Sequence, residues 1–527
     1  MKRKGLVLIS MMLILSLVLT ACGGGKETPK ETNNESTGKS TGEPTKARDK
    51  LVIATSSDAI TMDPSQNNDS FSGNIMAQVY DGLVKIDMEG NIEPSLAESY
   101  EPSEDGLTYT FHLKKGVKFQ NGEELKASDV VFTFKRAIES PAVAHIFGDI
   151  DPDSLKAVDD YTFQFSLKEA NAGIIAALCH PAAFVVNEKA VTEAGDNYSR
   201  NPVGTGPFIL KSWSKSNKME LTKFEDYYGK EPEFNTLEVR IIPEATNRVI
   251  ELETGGVDIA YDISPNDVSR VEGNSDLQLF RTPDYGTLYM GMNTQKEPLN
   301  DIKVRQAISK AIDVEEIVGA IWRGVGKPAS APYTSTIKYS LAEENEPNKK
   351  DIEGAKKLLK EAGYENGLSL TITTNDRQER IDAATIIKED LKQIGIDVTV
   401  EVLEWSAFIE KLESGQHDLF MISWISDSPD PDMVVYPCFH SSMAGPGGNY
   451  AFLNDPEVDD LIIKGRRTLD GPEREQIYKD LQERVMDLSP AVFLYNSEIV
   501  IGARSDIENI ELTPFGYHRL YPITFKK

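Results

Sequence analysis

An α/β fold built in two or three lobes is what this chain of 527 residues predicts. Three observations point to it. The chain is too long for one simple core, since single cores stop growing at roughly 250–300 residues. From residue 50 onward, strand-like stretches alternate with amphipathic helical ones, an order that covers a sheet with helices on both faces. No period of roughly 20–50 residues recurs, which excludes a solenoid.

The elements follow in order. Leu51, Val52, Ile53 and Ala54 make a short buried strand ending in polar Thr55 and Ser56. Residues 107–113 and 161–167 alternate apolar and polar side chains, the period of a half-buried strand. Between them, Ser128 and Asp129 are expected to cap a helix carrying Val130, Val131, Phe134 and Ile138. The second half is more regular. Helices are expected at 302–312 (Val304, Ile308, Ala311 and Ile312 on one face), 351–362 (Leu358 and Leu359 inward, Gly363 as stop), 381–394 and 471–487. Strands are expected at 368–373, 396–403, 419–425 and 491–502.

Forty per cent hydrophobic and 27% charged residues are ordinary globular usage. The 84 acidic against 56 basic residues leave a net charge of -28, which argues against nucleic acid or an anionic membrane surface as the main partner. No CxxC, HExxH or His-rich tract offers a zinc site, and no GxSxG elbow, P-loop or GxGxxG follows a strand. No cofactor or metal is therefore expected. Cys179 and Cys438 fit one disulfide or two buried thiols equally well.

The N-terminus gives the address. Lys2, Arg3 and Lys4 precede an apolar run from Leu6 to Leu19, shorter than the roughly 20 residues that span a bilayer. That is the shape of a secretory signal. Leu19-Thr20-Ala21-Cys22 resembles the bacterial lipobox, which implies a signal peptide at 1–21 and a lipid on Cys22 as the membrane anchor. Residues 22–49 read as a disordered tether, rich in Gly, Ser, Thr, Glu and Lys and too poor in apolar groups to fold. Such a leash reaches roughly 30 Å root-mean-square, at about 5–6 Å times the square root of its length. A folded part held at the outer face of a cell membrane, or in a periplasm, is the expectation.

From residue 50 on, the chain resembles the solute-binding proteins of the peptide and nickel ABC importers, the large three-domain class of extracellular solute-binding protein family 5. The likeness rests on stretches that occur in order. They are Tyr80-Asp81-Gly82-Leu83-Val84 with Pro94-Ser95-Leu96-Ala97; Gly106-Leu107-Thr108-Tyr109-Thr110-Phe111 through Val117-Lys118-Phe119 and Asp129-Val130-Val131-Phe132; Pro202-Val203-Gly204-Thr205-Gly206-Pro207-Phe208; Met292-Asn293-Thr294 with Val304-Arg305-Gln306-Ala307-Ile308; and Ala355-Lys356-Lys357-Leu358-Leu359. The resemblance implies a periplasmic-binding-protein-like two-lobe clamp with mixed sheets and two hinge crossings, near 289–293 and 497–501. Lobe I would comprise 50–93, 202–291 and 499–527, with a domain inserted at 94–201, and lobe II would be 292–498. Hinge closure around ligand is the usual motion of such clamps.

The sharpest local signal is Trp424-Ile425-Ser426-Asp427, at the end of the 419–425 strand. Open α/β sheets take ligands at the carboxyl ends of their strands. The resemblance implies that Asp427 accepts a peptide's α-ammonium through a charge-assisted hydrogen bond. A turn cap is the alternative, because Ser428, Pro429, Asp430 and Pro431 form a turn cluster. Asp430 and Asp432 read as turn and surface residues. Trp405 resembles an aromatic that walls a side-chain pocket, or is a core residue. Asn293 offers an amide at the hinge or a strand-end hydrogen bond, and Ser57 a contact past the first strand. For a ligand carboxylate, oligopeptide-binding relatives use arginines where this chain has Leu412 and Met421. The dipeptide-binding pattern has one before the helix expected at 381. Arg377 is the candidate here, with Arg380 beside it.

The expected function is that of a monomeric, lipid-anchored binding protein, not an enzyme, that captures a peptide and delivers it to the transmembrane subunits of an ABC permease. A nickel chelate, with His440 as a possible ligand, an oligosaccharide or another non-peptide solute is the runner-up. Readings of another class are an extracellular hydrolase, for which no activated nucleophile is visible, and a signalling receptor.

Overall fold

The computed structural model describes residues 48–67, 69–426 and 428–526. Cys22, the signal and nearly all of the tether lie outside the described residues, as does Asp427. The folded unit begins at Arg48, two residues before the expected start. Arg48 pairs with Asp258 and Asp506, and Asn235 donates to Asp49 at 2.7 Å, so these two residues belong to the fold rather than to the tether.

One mixed sheet of 11 strands runs through the unit. Its order is Ile396–Leu403, Leu368–Asn375, Leu419–Ile425, Leu277–Met292, Ala491–Arg504, Ile259–Ala260, Lys50–Thr55, Thr236–Ile241, Lys218–Lys223 and Phe208–Ser214, with Lys327–Pro328 pairing beside Ala491–Arg504. The two long strands at its centre are antiparallel and belong to both halves of the sheet. Their outer portion pairs Leu277 with Arg504, and their inner portion pairs Gly291 with Ala491. Register shifts between Pro283 and Thr287, and this irregularity divides the halves. The irregularity lies at 284–286, a few residues before the 289–293 expected for the first crossing.

The direction of the strands decides where a ligand can sit. In one half, 368–375, 396–403 and 419–425 are parallel, and Ile425 ends opposite Gly286. In the other half, 50–55, 236–241 and 259–260 are parallel and run the opposite way, with Ala260 opposite Gly502. Both sets of carboxyl ends therefore point at the same central belt.

Apolar side chains form separate cores on this frame. One lies under helices Ile302–Lys310, Val314–Trp322 and Gln378–Lys392. A second gathers Phe408, Phe420, Val458 and Tyr478 on the same half. Two more flank the strand at 50–55. A further core belongs to a four-stranded antiparallel sheet, Ala97–Pro102, Thr108–Leu113, Thr162–Ser166 and Lys156–Asp159, on which the helix Ala127–Glu139 packs. There the Phe134 ring meets that of Phe163 at 5.0 Å, edge to face. The alternation at 107–113 and 161–167 thus marks two paired strands.

Most expected elements fall within a few residues of the observed ones, and two differences are informative. The helix at 127–139 is not capped by Ser128. Asp129 is its third residue, and its carboxylate reaches back to the Lys126 amide (3.0 Å) and across to that of Glu188 (3.2 Å). The helix expected at 381 begins at Gln378, because Arg377 supplies the extended cap and the first turn is polar. Cys179 and Cys438 are both buried free thiols, and burial pushes both well above their ordinary pKa.

The Gly204-Thr205-Gly206-Pro207 stretch has a steric reason. A Cβ on Gly204 would lie 2.1 Å from the Val79 carbonyl oxygen, and one on Gly206 would lie 2.6 Å from the Val79 carbonyl carbon. The Gly206 amide bonds that oxygen at 2.9 Å, and the Gln120 amide spans Val79, Gly206 and Phe208 carbonyls. Backbone on backbone leaves no room for adjustment. Gly204→Ala is expected to destabilise the fold by about 2 kcal/mol or more, the range of core overpacking, read as a lower urea midpoint at unchanged slope.

Candidate ligand-binding cleft

Three parallel strands deliver one wall of the belt. After Asn375, the chain turns through Arg377 into the helix Gln378–Lys392; after Leu403 it enters Trp405–Glu413; after Ile425 come Ser426 and the turn cluster. Trp405 opens its helix, is 48% exposed, and has its ring 5.7 Å from that of Phe408. Trp424 is half-buried. Its indole N–H donates to the Met433 carbonyl at 2.9 Å, and Gly448 (φ +113°) lets the backbone come close against its ring. Ile425 is 59% exposed. From the opposite half, Ser57 lies exposed past the first strand, where its carbonyl accepts the Thr55 hydroxyl at 3.0 Å. Ser57 borders a cavity of about 30 Å³ with Phe71, Asn74 and Asp262, and Ile60 nearby in sequence is 76% exposed.

Asn293 is not brought to this belt. It follows Met292, which pairs with Leu419 at the other end of the 419–425 strand. Seven residues of strand separate it from Ile425's end, about 20 Å at roughly 3.3 Å per residue. Its amide is spent on the Gly415 carbonyl at 3.0 Å and the His417 carbonyl at 3.4 Å.

The two arginines divide sharply. Arg377 is exposed and has no ion pair among the described residues. Arg380, in the first turn of the helix, is 7% exposed. It donates to Asn375 Oδ1 at 3.0 Å and Ser423 Oγ at 3.1 Å, and no carboxylate lies within ion-pair distance among the described residues. Burial, with Arg377 nearby, lowers its pKa to about 10, so it stays charged at neutral pH. A buried cation with only neutral partners is costly, and an anion arriving in the cleft would relieve that cost. The three-residue shift of the helix start turns Arg380 inward. The signal in the sequence was Asn375 five residues before it, a polar residue closing an apolar strand. Leu412 and Met421 are fully buried apolar residues.

The turn cluster after position 427 is rigid. Ser426 Oγ donates to the Ser428 carbonyl at 2.7 Å, Ser428 Oγ accepts the Asp430 amide at 3.2 Å, and the Asp430 carboxylate accepts the Asp432 amide at 3.0 Å. Asp430 and Asp432 are expected from the turn composition to lie at the surface, but both are buried. Asp430 is held by both terminal nitrogens of the fully buried Arg474, at 2.7 and 2.9 Å. Asp432 has Arg466 Nε at 3.2 Å from one oxygen, while its other oxygen has no partner among the described residues. The same Arg466 reaches Asp149 at 2.8 Å, and Arg467 reaches Glu169 at 2.6 Å, so the segment at 149–173 is fastened to this wall. His440 Nδ1 accepts the Ser442 amide at 3.2 Å. Among the described residues, no group of three or more His, Cys, Asp or Glu is placed to hold a metal, and no helix is long and apolar enough to cross a membrane.

Burial outweighs the attraction of Arg466 at Asp432 and raises its pKa from 3.8 to about 7. The native state therefore holds this proton more tightly than the unfolded chain, and stability from this group falls as pH rises from about 4 to about 7. Asp432→Asn is expected to remove that fall, seen as a smaller loss of urea midpoint than in the parent over this range. Arg474→Met leaves Asp430 charged and buried, and is expected to cost about 3–5 kcal/mol in the same measurement.

Comparison with known proteins agrees with this geometry. The family model for bacterial extracellular solute-binding proteins, family 5 (middle), matches residues 91–446. The dipeptide-binding protein of Escherichia coli (strain K12) is 30% identical over 478 residues, covering 85% of this chain and 89% of that protein. The glutathione-binding protein of Pectobacterium atrosepticum is 30% identical over 468 residues, 87% and 90% of the two chains. The solved structure of the periplasmic binding protein DppA from Helicobacter pylori, in complex with the peptide STSA, superposes with a TM-score of 0.78 at 31% identity, over 91% of this chain and 98% of that one.

Proposed function

Since the chain belongs to the family-5 bacterial extracellular solute-binding proteins, a family of transport binding proteins rather than enzymes, we propose that it captures short peptides between its two lobes and hands them to an ABC permease. The observation that carries the reading is Arg380: a buried guanidinium with no carboxylate partner among the described residues, on the same sheet end as Trp424 and Ser426. It is the counter-charge a free peptide carboxylate needs. Asp427, three residues past Trp424, takes the α-ammonium in this reading, so that one ligand bridges two opposite charges. Exposed Trp405, Ile425, Ile60 and Phe71 supply apolar surface for side chains. The peptide and glutathione in the names of the relatives above are ligands of the same zwitterionic class.

In this proposal lobe I is 50–93, 202–283 and 499–527, with 94–201 inserted in it, and lobe II is 287–495. The irregular pair of crossings at 284–286 and near 496–498 is the hinge. Cys22 carries the lipid, the tether holds the monomeric clamp at the outer membrane face, and closure presents both lobes to the permease.

Calorimetric titration of the purified full chain with pooled di- to octapeptides tests this. Binding is expected with free termini, and to fall at least tenfold when the peptide is C-amidated or N-acetylated. Asp427→Ala is expected to remove the preference for a free amine. Arg380→Gln is expected to remove the preference for a free carboxylate while leaving a folded chain. Heat released with a metal chelate or oligosaccharide, and none with any peptide, would overturn the peptide reading.

A further inference from the structure

Away from the cleft, four separate pieces of chain enclose a basin of about 240 Å³. Lys85 comes from the strand Val84–Ile86, Lys114 follows the strand Thr108–Leu113, Tyr227 and Tyr228 follow Lys218–Lys223, and Arg519 and Tyr521 come from the C-terminal segment. None of its lining residues belongs to the central belt.

Its charged groups are only partly matched. Asp81 lies beneath it, fully buried, and is already committed: one oxygen takes Arg519 Nη1 at 2.7 Å and the other takes the Thr205 hydroxyl at 3.3 Å. Lys85 is matched by Glu93 at 2.8 Å. Lys114 is matched by nothing negative. Its ammonium donates to the Ser95 carbonyl and lies 5.5 Å from the centre of the Tyr228 ring, and no carboxylate is within ion-pair distance among the described residues. In a chain of net charge -28, the basin thus holds a surplus cation. Arg519 uses one nitrogen on Asp81, and no other hydrogen bond of its guanidinium is recorded among the described residues.

The walls suit an organic body as well as a charge. Tyr227 stands edge-on to Tyr228 at 5.0 Å and to Tyr521 at 5.8 Å, so rings line one side. Burial raises the pKa of both Tyr227 and Tyr228, which keeps their hydroxyls protonated; that of Tyr228 lies 3.5 Å from the Ser95 hydroxyl. We propose that this basin is a second binding site, separate from the clamp, for a small organic oxyanion. The oxygens of a carboxylate or phosphate group would sit between Lys114 and Arg519, with a compact body against Tyr227 and Tyr521.

The inference is independent of the peptide reading and is tested apart from it. The full chain is titrated calorimetrically with citrate and with glycerol 3-phosphate, at ionic strength held constant with sodium chloride, with and without saturating peptide or any cleft ligand found. One saturable site below about 1 mM is expected, equal in both conditions. Lys114→Gln is expected to weaken it at least tenfold, Tyr228→Phe about threefold, and Lys114→Arg to restore it. Thermal unfolding of each variant in the absence of anion checks that the fold survives. No saturable binding of either probe up to 10 mM, or binding that Lys114→Gln leaves unchanged in a folded chain, would overturn the proposal.

Discussion

The antiparallel pairing of Leu277–Met292 with Ala491–Arg504 is the constraint on which the remaining architecture depends. These two strands lie in both halves of a single sheet, so each half inherits its position from the other through backbone hydrogen bonds, to which ion pairs such as Arg466 with Asp149 add. Because parallel strands in the two halves run in opposite senses, their carboxyl ends meet at the middle. The register irregularity at 284–286 sits at that meeting place. Bulges bend a strand and raise its twist, so the site of greatest backbone irregularity and the site where chain ends gather coincide. Thr287 and Asn496 bond across it at 3.0 Å, and Ser497 donates to half-buried Asp284 at 2.5 Å, which ties the belt together.

Charge is buried on one side of this belt in two distinct ways. The turn at 428–432 uses carboxylates that are matched by arginines, with Arg474 on Asp430 and Arg466 on Asp432. That pairing orders the backbone leading away from position 427 and fastens it, through Arg466 and Arg467, to the segment at 149–173. Arg380 is buried without such a match among the described residues. A buried cation whose partners among the described residues are neutral is an electrostatic cost that a nearby anion would relieve.

Much of the fold was legible in local pattern. Period-two alternation found the strands at 107–113 and 161–167, and helical periodicity found those at 302–310 and 472–488, because one face of each is buried against a sheet or core. Boundaries were less so. Asp129 was legible as a helix-start residue but not as the third residue of the helix, since a carboxylate serves an N-terminus from either place. The same uncertainty of three residues at 378–381 hid which arginine faces inward. Asn293 stood in a stretch resembling the family yet lies at the far end of its neighbouring strand, which no linear spacing reveals. Asp430 and Asp432 had the composition of a turn, and composition carries no information about the arginines, dozens of residues away, that bury them.

Local sequence determined the class of the protein: alternating elements, acid-rich composition, and ordered motifs resembling one family. Those are properties of neighbours along the chain, where side-chain period, turn chemistry and hydropathy act over a few residues. Only the tertiary structure decided which polar groups share an environment. Arg380 with Ser423, Asp430 with Arg474, and Asp81 with Arg519 are separated by 43, 44 and 438 positions. The cost of burying a charge depends on what lies a few ångströms away in space, and that is settled only when distant segments pack.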